Sequence, residues 1–155
     1  DLKSTNVMVE VWNGGEVRPK LLDFGFSRVL TRGSRLGGGT FSWMAPEVVH
    51  NGSAAKCSAD IYSYGHMVTF VATGLPPPRL SKRKLKAQVV PPLRVWPPSN
   101  AMAPGCEDLA RACLELDQGA RPSTQAVLER LLALADQLDI VDTGGAFLKD
   151  VRTVA

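Results

Sequence analysis

The sequence predicts a mainly α-helical fold carrying one small β-hairpin, and three observations predict it. Two short β-rich runs, Val7-Met8-Val9-Glu10-Val11 and Val17-Arg18-Pro19-Lys20-Leu21-Leu22, flank Asn13-Gly14-Gly15, a turn signal at hairpin spacing. Between Ala59 and Thr73 the apolar residues Ile61, Tyr64, Met67, Val68 and Val71 recur at helical spacing. Two further helical stretches follow a proline-rich segment, at about Cys106 to Leu116 and Ser123 to Leu138.

The hairpin comes first and has a consequence for chemistry, because pairing its strands delivers Asn6 and Asp23 to the same edge. Residues Trp12-Asn13-Gly14-Gly15-Glu16 read as an enlarged tip. Ser27 to Gly39 is polar, basic and glycine-rich, which suits a mobile segment. Gly37-Gly38-Gly39 lacks the preceding strand and following helix that a phosphate-cradling loop requires. The helix over Ala59 to Thr73 takes Ser58 as its N-cap and Gly74 as its stop. Apolar residues on its other faces predict burial all round. From Leu75 to Pro104 the prolines break regular structure, leaving at most a short helix near Ser81 to Val89.

Composition bounds the class. At 155 residues and 45% hydrophobic content the chain fits one domain, or a large part of one, with a sizeable core. No apolar run is long enough to span a bilayer and no signal pattern opens the chain, so an intracellular, cytoplasmic protein without membrane insertion is expected. A net charge of +3 is too small to argue for nucleic acid. The basic run Arg79, Lys82, Arg83, Lys84 and Lys86 reads as a solvated linker entering a helix, with no interleaved aromatic residues for base stacking. Cys57, Cys106 and Cys113 have neither a disulfide framework nor zinc spacing. His50 and His66 lie far apart with no ligand cluster, so a loop-side and a helix-packed histidine are expected.

The motifs that carry chemistry are Asp1-Leu2-Lys3-Ser4-Thr5-Asn6, Asp23-Phe24-Gly25 and Ala45-Pro46-Glu47, in that order. Any one of them is weak alone; their order and spacing together are not. They resemble the catalytic loop, the metal-binding motif and the end of the activation segment of protein kinases. Gly39-Thr40-Phe41-Ser42-Trp43-Met44-Ala45-Pro46-Glu47 is similar to the substrate-binding loop of the tyrosine-kinase-like serine/threonine kinases. Ser58-Ala59-Asp60-Ile61-Tyr62-Ser63-Tyr64-Gly65 is similar to the start of their central helix, and Arg121-Pro122-Ser123 to the motif opening their last helix.

The resemblance implies the C-terminal lobe of an α+β kinase fold over residues 1–138, with the N-terminal lobe absent from this chain, and a tail at 139–155 without a motif. It implies ATP and Mg2+ as cofactors and protein substrates as partners. Asp1 would be the catalytic base, Lys3 would steady the transferring phosphate, and Asn6 and Asp23 would be the magnesium ligands, with Phe24 packing behind Asp23 and Gly25 as pivot. Thr40 would bond the catalytic Asp and Lys and shape a pocket for serine or threonine. Glu47 would pair with a buried Arg121, and Asp60 would accept backbone N–H bonds from the catalytic loop. Thr31, Ser34 and Ser27 fall where a phosphate would order the activation segment.

Plainer readings stand beside these: a turn-capping carboxylate at Asp23, a frayed terminal residue at Asp1, a locally bonded hydroxyl at Thr40, unmodified loop hydroxyls at Thr31 and Ser34. The sequence also departs from the family pattern, with Thr69 and Phe70 where an aromatic and an acid are usual, and Leu75-Pro76-Pro77-Pro78 after Gly74. The expected function is transfer of the ATP γ-phosphate to protein serine/threonine hydroxyls. The alternative is a pseudokinase or kinase-like scaffold that binds partners without catalysis.

Overall fold

The computed structural model describes residues 1–13, 15, 17–25, 41–51, 56–79, 83, 95–96 and 103–137. A single turn of 3-10 helix at Ser4–Asn6 leads into β1, Val7–Val11, which pairs antiparallel with β2, Val17–Leu21. The register sets Val7 opposite Leu21 and Val11 opposite Val17. Alternation then places Val7, Val9, Val11, Val17, Pro19 and Leu21 on one face and Met8, Glu10, Arg18 and Lys20 on the other. Pro19 has no N–H to donate and is tolerated because each strand is an edge. At the tip, Gly15 N–H donates to Trp12 C=O at 3.0 Å, and Arg18 stacks 4.4 Å from the Trp12 ring centroid. Glu10 and Lys20 pair across the strands at 2.6 Å, and that bond holds the Glu10 carboxyl below its ordinary range.

Four α-helices follow among the described residues: α1 Pro46–Asn51, α2 Cys57–Thr73, α3 Ala103–Cys113 and α4 Thr124–Gln137. Proline opens α1 at a position whose N–H has no intrahelical partner in any residue. The same tolerance explains a departure from expectation at α3, which begins at Ala103 rather than near Cys106. Pro104 lies in its first turn, where a missing N–H costs nothing. This helix also ends at Cys113, short of Leu116. Ser123 caps α4, its hydroxyl accepting the Ala126 N–H at 3.1 Å.

The α2 start differs from expectation. Lys56 occupies the N-cap without a side-chain bond, and Ser58 lies inside the first turn with its hydroxyl buried and unpartnered. The end agrees: Gly74 adopts φ 69°, a left-handed cap that glycine takes without strain, and its N–H reaches Phe70 C=O at 2.8 Å. Burial all round does not hold, since Val71 is 77% exposed. The residues that α2 does bury, Ala59, Ile61, Tyr62, Ser63, Gly65, His66 and Thr69, are mostly small or polar.

Ala59 and Tyr62 pack on Ala45, Val48 and Leu114. Ile61 packs on Leu109 and Cys113 of α3 and Val127 of α4. Gly65 makes the α2–α3 crossing close, because a Cβ there would lie 2.8 Å from the Cys113 Cβ and 2.9 Å from the Leu114 Cγ. A third cluster sets Trp96 against Cys106 and Ala110, bordered by Val68, Ala72 and Leu134. Burying each such large apolar side chain stabilises by roughly 1.5–3 kcal/mol. Burial raises both core thiols, Cys113 to about 11, so they remain protonated packing groups. Cys57 is exposed. No helix among the described residues is long and apolar enough to cross a membrane.

Candidate active site at the open end of the hairpin

The hairpin ladder continues one step past its last strand pair, since Leu22 N–H donates to Asn6 C=O at 2.7 Å. Asp23 is the next residue, so the ladder brings it to the Asn6 end. Asn6 is buried, and its Nδ2 donates to the Asp1 carbonyl at 2.9 Å. This fixes the amide and leaves Oδ1, a hard acceptor, as its remaining polar atom. Asp1 in turn receives Lys3 Nζ on its carboxylate at 2.5 Å. A continuous set of bonds therefore runs from Lys3 through Asp1 and Asn6 to Leu22, with Asp23 next along the chain.

Asp23 is the one non-glycine residue with positive φ among the described residues, at 57°. Asp tolerates this left-handed conformation better than most side chains because it can bond locally. Here Oδ1 accepts the Gly25 N–H at 3.0 Å. The oxygen donors of Asn6 and Asp23 suit a hard divalent cation, and no cluster of three or more His, Cys, Asp or Glu competes for that role among the described residues. Phe24 does not pack behind Asp23. It is 65% exposed, finding no buried seat among the described side chains.

Among the helices, Glu47 and Arg121 join in a two-point ion pair. Arg121 Nη1 reaches Glu47 Oε1 at 2.6 Å and Nη2 reaches Oε2 at 2.8 Å. The remaining N–H groups go to the carbonyls of Ser58 at 2.8 Å, Glu115 at 2.8 Å and Leu116 at 3.3 Å. All five guanidinium donors are thus used. The Tyr62 ring covers the guanidinium at 4.9 Å, and burial pushes the Tyr62 hydroxyl up to about 12.

Asp60 lies exposed in the first turn of α2. Thr40, Thr31 and Ser34 lie outside the described residues, as do Ser27, the expected short helix near Ser81 to Val89 except Arg83, and the tail from residue 139.

Sequence reasoning missed one set of contacts. Ser63 Oγ donates to Trp43 C=O at 2.8 Å, and Trp43 meets His66 and Phe70 edge to face at 6.3 and 6.0 Å. Their separation along the chain leaves no local pattern that joins them.

The chain with this hairpin and these helices locked by an Arg–Glu pair matches known proteins over most of its length. The protein kinase domain family matches residues 1–132, and the chain belongs to that family. It is similar to receptor-interacting serine/threonine-protein kinase 3 of Rattus norvegicus, 33% identical over 141 residues, 81% of this chain and 29% of that protein. It is also similar to serine/threonine-protein kinase dst3 of Dictyostelium discoideum, 33% identical over 141 residues, 83% of this chain and 23% of that one. A mitogen-activated protein kinase kinase kinase of Drosophila melanogaster is 29% identical over 141 residues, 87% of this chain and 12% of its own length. The chain spans less than a third of each of these relatives.

Proposed function

We propose that residues 1–138 form the C-terminal lobe of a serine/threonine protein kinase of the tyrosine-kinase-like group, with 139–155 a tail outside it. The reaction is transfer of the γ-phosphate of ATP to a serine or threonine hydroxyl of a protein. The observation that carries this reading is the bond from Leu22 N–H to Asn6 C=O, which closes the hairpin and brings Asp23 to the residues that anchor Asp1.

In this reading Asp1 accepts the proton of the acceptor hydroxyl as its oxygen bonds to the γ-phosphorus and the bond to the ADP oxygen breaks. Lys3, already paired with Asp1, offsets the negative charge of the phosphate. Asn6 and Asp23 would hold magnesium, which when bound with nucleotide neutralises charge on the phosphates. Thr40 would favour serine or threonine as the acceptor, and Thr31 and Ser34 are proposed phosphorylation sites. Cytoplasmic location is part of the same proposal.

The test is phosphate transfer by the full-length protein that contains this chain. Asp1→Asn and Asp23→Ala should each lower turnover at least about a thousandfold, the scale of losing a central electrostatic group. Residues 1–155 alone should show negligible transfer, because the glycine-rich loop and strand lysine that enclose ATP are not in this sequence. Unchanged turnover in either variant overturns the assignment. A wild type that binds partners but transfers no phosphate establishes the scaffold alternative.

A further inference from the structure

We propose that His66 is a positioning residue for the acceptor protein, an aromatic wedge that holds residues 41–45 in the shape against which an acceptor segment lies; this rests on the kinase reading above. The His66 ring meets Trp43 edge to face at 6.3 Å and Tyr62 edge to face at 5.0 Å. Tyr62 covers the Arg121 guanidinium, and Arg121 holds Glu47, four positions beyond Trp43. The contacts therefore close a ring, Trp43 to His66 to Tyr62 to Arg121 to Glu47, with the chain from 43 to 47 as its last side. Within that ring Trp43 is additionally held by its carbonyl through Ser63.

Two features single out His66. It is buried, and burial alone lowers it to about 4, so at neutral pH the ring is uncharged and packs as an aromatic. It is also the link between the loop and the Arg121 lock. Phe70 touches Trp43 at 6.0 Å, but the described ring contacts carry it no further. Edge-to-face pairs contribute modestly, so loss of the wedge should loosen the segment rather than unfold the protein.

The experiment uses the full-length protein, a serine peptide selected from a degenerate peptide library, and the variants His66→Leu and His66→Phe. Leucine keeps bulk without a ring, and phenylalanine keeps the ring. His66→Leu should raise peptide KM about three- to tenfold with kcat and the KM for ATP within twofold, and His66→Phe should restore it. Amides of residues 41–45 should exchange hydrogen faster in His66→Leu, with α3 and α4 unchanged.

Peptide KM within twofold of wild type, an equal defect in His66→Phe, or unaltered exchange at 41–45 overturns the proposal. Should His66→Leu not fold, His66→Val carries the same expectations. A wild type that phosphorylates no acceptor rejects the kinase reading and this proposal together, whereas an active wild type matched by His66→Leu rejects the wedge alone.

Discussion

Glu47 and Arg121 stand 74 residues apart in sequence and meet through two hydrogen bonds at 2.6 and 2.8 Å. The arginine side chain is fully buried while the glutamate keeps 22% of its side-chain surface. A cation placed there has to be satisfied by protein, and three backbone carbonyls complete its coordination.

Removing either partner should therefore be costly. Glu47→Ala leaves a buried cation and Arg121→Ala leaves a half-buried carboxylate and three carbonyls, so each should destabilise by about 3–5 kcal/mol. Arg121→Lys should not rescue, because an ammonium has three donors where five are used. Thermal unfolding of the three variants checks this, and unchanged melting temperatures would show the pair to be dispensable.

The α2–α3 crossing gives a second prediction. Alanine is ordinarily favoured over glycine in a helix by about 1 kcal/mol. At Gly65 the added Cβ would meet the Cys113 Cβ at 2.8 Å and the Ala110 carbonyl at 3.2 Å, atoms that cannot move without the helix. Gly65→Ala should destabilise by a net amount within the overpacking range of about 1–3 kcal/mol. A denaturant midpoint that rises instead would mean the helices sit farther apart.

His66 predicts a pH dependence with a definite sign. Burial lowers its pKa from 6.5 to about 4. Between those values the unfolded chain binds a proton that the folded chain does not. Stability from this group is thus full above 6.5, falls as pH drops through the window, and levels off below about 4. The full loss should approach about 3 kcal/mol. Denaturant unfolding from pH 7 to 4 should show a steeper decline in wild type than in His66→Phe; parallel curves would contradict it.

The Ser123 cap is the local counterpart. Ser123→Ala should cost about 1 kcal/mol by orphaning the Ala126 N–H. Substitution by Gly or Asp should cost less, as read by thermal unfolding.

Much of the fold was legible from local signals. The strands fall where the β-rich runs place them, with β2 one residue shorter, and Gly74 stops α2 as expected. Errors arose where a local rule met a tertiary condition. Ser58 looks like a cap, but α2 begins at Cys57, and Ser58 instead offers its carbonyl to Arg121. Phe24 looks like a packing residue, yet burial depends on what lies opposite it. Val71 matches the apolar period of α2 and remains 77% exposed, because periodicity does not say which apolar positions another element covers.

The sequence by itself determined the order of elements, the residue types at the hairpin end and membership of the kinase domain family, since periodicity, turn chemistry and motif spacing are all local properties of the chain. Tertiary structure alone decided which side chains meet across long separations. The five-donor seat of Arg121 and the ring contact of Trp43 with His66 each join segments that lie far apart in the chain. Burial sets their energetics, by removing the water that would otherwise compete for every one of those contacts.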